Sequence, residues 1–535
     1  MTTVAADSGE LGAVPASGPS PGKGLKTGAL GLVSTIVIGI ASTAPAYSIA
    51  ASLGFVTAAV VFQMPAVMLL AFVPMLFIAA AYNYLNRADP DCGTTFTWVT
   101  RAIGPRSGWM GGWGILMTDL VVMPSLSQIA GSYTFSLFGA NGLAASTFWV
   151  TFVGVIWIAV MTAICYIGIE LSARTQVALL GAELLILAVF SVVALVKVYA
   201  THVAHSVRPS VQWLNPFHIT SVGALSAGML VAIFLYWGWD TAVTVNEETK
   251  DARRTPGLAA LLSTVVLVAT FLITGYAAQA FHGANYLTNN SDDILQALGK
   301  QVLGSPWNKL LIIAVLTSAS ASTQTTILPA ARSALSMSVH RAFPRRFADI
   351  HPRHLSPGFA TLMFGVLSIV WYVVLTWLSP NDVLGNSISA LGFGIAFYYG
   401  ITGFACVIYY RRHIFSSVRN FIYIGVAPLL GGIILAGVFF VSIFYYSNPE
   451  NSYITGQAWL PFIHFDVHLF GWHLYVKKGL GPPLVLGLGL LLLGVPLMLA
   501  WRVRHPEFFR RQREVADSVD ALAPPLTPGV ALVTD

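Results

Sequence analysis

Two of the long apolar runs in this chain are broken at matching places. Residues 30–55 are interrupted at Gly39-Ile40-Ala41-Ser42-Thr43-Ala44-Pro45, and residues 221–245 at Tyr236-Trp237-Gly238-Trp239-Asp240. Inside a bilayer a helix satisfies its own backbone groups, so a break at that depth must face protein, water or a ligand. Each break falls in the first of five consecutive apolar segments. That pattern points to an inverted-repeat membrane transporter with its site between the broken helices.

Composition places those runs in a membrane. Of 535 residues, 56% are apolar and only 9% are charged, whereas soluble domains carry roughly a quarter charged residues. Runs of about twenty apolar residues span a bilayer, and twelve are present: 30–55, 57–84, 108–138, 146–168, 173–199, 221–245, 257–281, 307–337, 358–378, 384–410, 420–446 and 480–501. An even number puts both termini on one side. With that side cytoplasmic, all 28 Lys and Arg residues lie inside except Lys197, Arg208, Lys300, Lys309, Lys477 and Lys478, as the positive-inside rule requires. The net charge of +6 therefore reports topology and does not imply a nucleic-acid partner. The first 24 residues and those after about Glu514 are rich in small residues or Pro and read as tails; the N-terminal one lacks the apolar core of a signal peptide. The expected organisation is a disordered cytoplasmic tail at 1–27, a transporter core at 28–410, peripheral helices at 411–505 and a cytoplasmic C-terminal tail at 506–535. Cys92, Cys165 and Cys406 are too few and too scattered for a disulfide framework or a metal cluster.

The breaks have their own chemistry. Pro45 lacks a backbone donor and clashes with the preceding turn, and Gly39 weakens the helix before it. Ser42, Thr43 and Ser48 can bond liberated backbone groups or a substrate. An unwound segment leaves a half-helix N-terminus that favours a carboxylate and a half-helix C-terminus that favours an ammonium. An amino acid zwitterion suits both ends, while a Pro-kinked helix packed on its neighbours is the plainer alternative. Around the second break, Phe234, Tyr236, Trp237 and Trp239 can wall a site for an ammonium, although aromatic residues in a bundle more often simply pack.

Three carboxylates fall within the apolar segments: Asp119, Glu183 and Asp240. Asp119 and Glu183 sit about ten residues, or about 15 Å, from the cytoplasmic ends of their segments, near mid-depth. Ionisable groups at that depth are costly and are functional candidates by default. Glu183 is the candidate for taking up a proton or sodium ion; Asp119 and Asp240 are candidates for a substrate amine. A structural hydrogen bond to a neighbouring helix is the alternative for all three. Segment eight adds a polar stripe, Ser318, Ser322, Thr325 and Thr326, at helical spacing. Ser318 and Ser322 are candidate sodium ligands, and small polar residues also let helices approach closely.

The loops carry a resemblance. YNYLNRADPDCGTTFTWVTRAIGPRSGWMGGW (82–113), GIELSARTQ (168–176), YWGWDTAVTVNEETKDARRTPG (236–257) and ARSALSMSVHRAFPRRFADIHPRHLSP (331–357) resemble, in order, segments of the amino acid–polyamine–organocation superfamily permeases. The resemblance implies an all-α integral membrane protein of about twelve helices: a five-plus-five inverted repeat with helices 1 and 6 broken, plus two peripheral helices. It implies alternating access around a midplane site and substrates that are amino acids, polyamines or related amines. Two departures stand out. Where many relatives carry a Gly-x-Gly type sequence that holds the substrate carboxylate, this chain has Thr43-Ala44-Pro45. Where proton-coupled relatives place a Lys in segment five, it has Glu183.

The expected function is therefore secondary import of an amino acid across the cell membrane, coupled to protons, with Ser42, Thr43, Ala44, Pro45, Tyr236, Trp237, Trp239, Asp240 and Asp119 at the substrate and Glu183, Ser318 and Ser322 at the ion. A polyamine or small-amine permease is the nearest alternative, and a nutrient sensor on the transporter fold is an alternative of another class. No metal-ligand cluster, cofactor motif or nucleophile–base arrangement suggests an enzyme, and no phosphate-cradling motif suggests an ATP-driven pump. The Glu247, Glu248, Lys250, Asp251, Arg253, Arg254 cluster reads by default as a solvated loop, with a gate latch as the alternative.

Overall fold

The computed structural model describes residues 23–201, 203–291, 293–379, 383–447, 465–469, 472–476 and 480–510. The rest, including most of both expected tails and the outer residues Lys477 and Lys478, lie outside the described residues. In chain order the helices are α1 (Leu32–Thr43), α2 (Pro45–Val60), α3 (Met64–Ala88), α4 (Thr95–Ala102), α5 (Pro105–Leu137), α6 (Asn141–Ala144), α7 (Thr147–Ile167), α8 (Ile169–Ala200), α9 (Val222–Leu235), α10 (Thr241–Thr244), α11 (Thr255–Asn289), α12 (Ile294–Leu303), α13 (Asn308–Val339), α14 (Gly358–Leu378) and α15 (Val383–Tyr409). Two more apolar stretches follow, Val418–Tyr446 and Pro482–Arg504. Between them lies a two-stranded antiparallel hairpin, Phe465–Leu469 with Trp472–Val476.

Among the described residues, ten helical stretches are long and apolar enough to cross a membrane; the first, Leu32–Ala88, contains two expected segments, and Val222–Leu235 is the shortened sixth. All twelve expected segments are thus accounted for. One boundary moves. The turn expected near residue 56 lies at Val61, which has φ 52°, because Phe55, Val56 and Thr57 stay helical and buried. Pro65 then falls in the first turn of α3, where its missing N–H costs nothing. Sequence periodicity also left α4 and α12 unread, since both are short.

The helices pair across a pseudo-symmetric bundle. The two broken segments pack on one another through α2 and α9 and through α1 and α10, while α3 packs on α11, α5 on α13 and α7 on α14. Each member of the first five thus meets its counterpart in the second five, apart from the fifth helices, whose contact does not stand out. Outward faces are apolar, as at Leu185, Val189, Val192 and Val196 of α8, suiting lipid. α11 kinks at Gly283, which sits at φ 75° and ψ 172°, and the Ala280 carbonyl accepts the Val207 N–H at 2.8 Å.

Candidate functional site

The first break is a single left-handed residue. α1 ends at Thr43, Ala44 adopts φ 50° and ψ 69°, and Pro45 opens α2, a position that needs no N–H. Hydroxyls satisfy the liberated carbonyls. Ser48 donates to Thr43 O at 2.6 Å and Ser322 to Ser42 O at 2.9 Å, while the Thr43 hydroxyl turns back onto its own helix at Gly39 O, 3.2 Å away. On the other side of the break, Ala46 N–H donates to Glu183 Oε1 at 2.7 Å and Tyr47 N–H to Ser318 Oγ at 3.2 Å. The Ser318 hydroxyl then donates to the same Glu183 oxygen at 2.8 Å. Ser42, Thr43, Ala44, Pro45, Glu183, Ser318 and Ser322 therefore form one connected cluster.

The second break is a turn over Tyr236–Asp240 with Gly238 at φ 116°. A side chain there would come within 2.8 Å of Ser42 C and O and 2.9 Å of Thr43 N, so glycine lets the two breaks touch. Ser42 Oγ and Thr241 Oγ1 bond across the junction at 2.8 Å. The Asp240 carboxylate accepts the phenols of Tyr399 at 2.8 Å and Tyr398 at 3.2 Å. Trp237 Nε1 donates to the Tyr398 hydroxyl at 2.5 Å. Trp239 stacks on Tyr399 with ring centroids 5.0 Å apart, and Tyr82 meets both rings edge-on at 5.1 and 5.8 Å.

Asp119 of α5 completes this second cluster. It is 2% exposed, one carboxylate oxygen (Oδ2) has no hydrogen-bond partner, and it interacts electrostatically with Asp240, Tyr82 and Tyr398. Tyr236 does not join it: its hydroxyl donates to Met68 O at 3.1 Å and its ring packs on Phe72 and Phe271. Five participants escaped the sequence reading: Tyr82, Tyr398 and Tyr399 at the aromatic cluster, Thr241 at the junction, and Ser125, which accepts the Tyr47 hydroxyl at 2.8 Å. Of the segment-eight stripe, Thr325 turns back onto its own helix carbonyls at 3.1 and 3.3 Å. A separate cavity of about 590 Å³ beside Gly283, lined by His205, His282, Tyr286 and Gln301, includes none of the break residues.

One end of the bundle carries buried ion pairs. Glu248, just after α10, pairs with Arg332 of α13 at 2.6 Å, with side-chain exposures of 1% and 3%. Next to it Lys23 bridges Asp91 at 2.9 Å and Glu247 at 2.5 Å. Part of the sequence expectation thus changes: Glu247 and Glu248 are drawn into partly and fully buried pairs because basic partners reach them from the N-terminal segment and α13. Residues 23–27, assigned above to a tail, include the Lys23 anchor. Asp91, Cys92 and Glu247 present ligand atoms within 4.8 Å of one another, but the Lys23 ammonium already serves them as the cation. Burial opposes that ammonium, yet Asp91, Cys92 and Glu247 hold its pKa well above the usual value. Burial likewise works against an ionised Asp91, and Lys23 overrides it, keeping the carboxyl well below its usual range.

Two broken helices in contact, flanked by counterpart helices in pairs and enclosing buried acids, define a membrane transporter built on an inverted repeat. The amino acid permease family model matches residues 30–465, and the chain belongs to that family of the amino acid–polyamine–organocation superfamily. It is 27% identical to an uncharacterized transporter of Mycobacterium tuberculosis over 70% of this chain and 78% of that protein. It is 22% identical to the low-affinity putrescine importer PlaP of Escherichia coli (64% and 74%) and 23% identical to the branched-chain amino acid permease BcaP of Bacillus subtilis (59% and 67%).

Proposed function

We propose that this permease imports a small organic amine by alternating access, coupled to an inward ion movement through Glu183, with the Lys23–Arg332 end facing the cytoplasm. The observation that carries the amine is Asp119: a buried carboxylate with an unpartnered oxygen, close to Asp240 and the Trp239–Tyr399–Tyr82 rings. If it is to stay ionised in such surroundings, that carboxylate needs a cation, and an ammonium gains further from aromatic faces. Among the relatives, one is named for putrescine and another for branched-chain amino acids, so family membership by itself leaves both classes open. The basic bias of the sequence supports the orientation.

A thermal-shift screen of the purified protein against small amines, polyamines and α-amino acids tests the reading. A ligand at a hundred times its Kd adds about 2.7 kcal/mol to native-state stability. Amines are expected to raise Tm, and stabilisation by α-amino acids with none by amines sinks the proposal. Counterflow of the labelled ligand in liposomes then separates a carrier, which exchanges, from a sensor, which does not.

Two further results are expected. Trp239→Ala weakens amine binding by roughly thirtyfold, as expected for a desolvated cation on an aromatic face; unchanged affinity would return Trp239 to packing. Glu183→Gln removes the group proposed to carry the ion, so accumulation against a gradient disappears while counterflow persists. Normal accumulation by that variant would exclude Glu183 as the coupling group.

A further inference from the structure

The start of α2 is the natural place in this fold for an anion. Sixteen residues of helix direct their N-terminal N–H groups and positive dipole end into the junction between the breaks. Every N–H there is already used. Ala44 N–H donates to Ala41 O at 3.1 Å, Ser48 N–H closes on Ala44 O at 2.8 Å, and Pro45 has none to give. Ala46 N–H donates directly to Glu183 Oε1, and Tyr47 N–H reaches the same oxygen through the Ser318 hydroxyl. The anion at this helix start is therefore a side chain of the protein. It comes from α8, is 2% exposed, and is held by the two donors that a bound carboxylate would otherwise engage.

We infer that Glu183 stands in for a ligand carboxylate and so sets selectivity: the site accepts amines that lack an α-carboxylate and rejects the α-amino acids of the same side chain. This rests on the amine reading above and adds to it the residue that enforces the class. A second carboxylate entering the junction finds no donor and meets the charge of Glu183, and in a site of low dielectric two like charges repel strongly. An amine of the same shape brings neither cost. It meets Asp119, whose Oδ2 has no hydrogen-bond partner. The departure at Thr43-Ala44-Pro45 belongs to the same arrangement, because Pro45 removes one N–H from the turn where a ligand carboxylate would need it.

The test uses the full-length protein and two matched pairs, putrescine with ornithine and 3-methylbutylamine with leucine. Binding is read by ligand-induced Tm shift and by counterflow, neither of which needs an ion gradient or an intact coupling group. In the wild type, at least one amine is expected to bind and its amino acid partner not to. In Glu183→Ala the Ala46 N–H and the Ser318 hydroxyl become available, and affinity for the amino acid should rise by at least about tenfold relative to its amine. Glu183→Gln, which keeps the size and removes the charge, should shift the ratio in the same direction by less. If the alanine variant does not fold, the glutamine variant decides alone.

An unchanged ratio in the folded variants overturns the inference, as does a wild type that binds the amino acid as tightly as the amine. A wild type that binds neither amine overturns the proposed function instead. Amino acid binding gained by the variants would then still support the role of Glu183.

Discussion

Glu248→Ala should open the charged end of the bundle and make Cys92 reactive. The Glu248–Arg332 pair is almost fully buried, and both Nε and Nη2 of Arg332 lie 2.6 Å from one carboxylate oxygen. Removing one partner strands the other in a dry site, which costs about 3–5 kcal/mol, or roughly two to three and a half powers of ten in an equilibrium constant. The pair ties the segment after the second break to α13, so its loss favours arrangements in which they separate. Cys92 is a built-in reporter. It is buried, its N–H donates to Glu247 at 3.0 Å, and it lies against the Lys23 ammonium. Maleimide labelling followed by peptide mass spectrometry should show Cys92 reacting far faster than in the parent, with buried Cys165 and Cys406 as internal references. Exchanging the charges, Glu248→Arg with Arg332→Glu, should restore part of the protection. An unchanged Cys92 rate in a folded Glu248→Ala protein would show that the pair is not what holds this end shut.

The neighbouring Lys23–Asp91 pair sets the pH dependence of that closure. Asp91 is held below its usual pKa, so its contribution is complete above about pH 4 and fades only as pH falls through the lowered value. Lys23 is held above its usual pKa, so its contribution is complete below about pH 10 and fades as pH rises beyond that. Protection of Cys92, corrected for thiolate reactivity, is accordingly expected to stay flat only between about pH 7 and 9, because the adjacent Asp89 carboxyl, which burial pushes up to about 6, takes up a proton below that range.

The features legible in the sequence are those with local causes. Pro45 and Gly238 mark both breaks because a missing N–H and a positive φ act within one turn. The twelve spans follow from apolar runs whose length a bilayer dictates. The boundary at Val61 was misplaced because the residues before it are as apolar as the helix they extend. The partners of the breaks were illegible for a different reason. Tyr398 and Tyr399 lie far along the chain in an apolar helix, and only packing of α15 against the second break aims their phenols at Asp240. Tyr82 is part of a recognisable loop motif, yet nothing in the motif says that its ring meets Trp239. Glu248 sits among exposed charges in sequence, and its burial depends on Arg332, which the basic bias counts only as one more interior charge. Asp119 and Glu183 were visible as acids at depth, but their different situations were not. One ends with an unpartnered oxygen and the other with two donors, a difference fixed by which neighbours α5 and α8 meet.

That difference makes Asp119→Asn the sharpest test of the amine site. Removing the carboxylate that faces a ligand ammonium in a desolvated site costs about 2–5 kcal/mol of binding, so amine affinity should fall by roughly thirtyfold to several thousandfold. A ligand whose own carboxylate already balances its ammonium should lose less. Stability without ligand gives an independent reading. In the parent, Asp119 is a buried acid with an unsatisfied oxygen, an arrangement that favours folding only if function requires it. Asparagine removes the charge, so the variant's Tm should equal or exceed that of the parent while its amine response vanishes. Asp240 behaves otherwise, because both its oxygens hold phenols. Asp240→Asn should lower Tm as well as binding, since it loosens Tyr398, Tyr399 and the Trp239 stack together. If Asp119→Asn lowered Tm and reduced amine and amino acid binding equally, Asp119 would be a helix-packing residue. The cation site would then have to be sought at Asp240 alone.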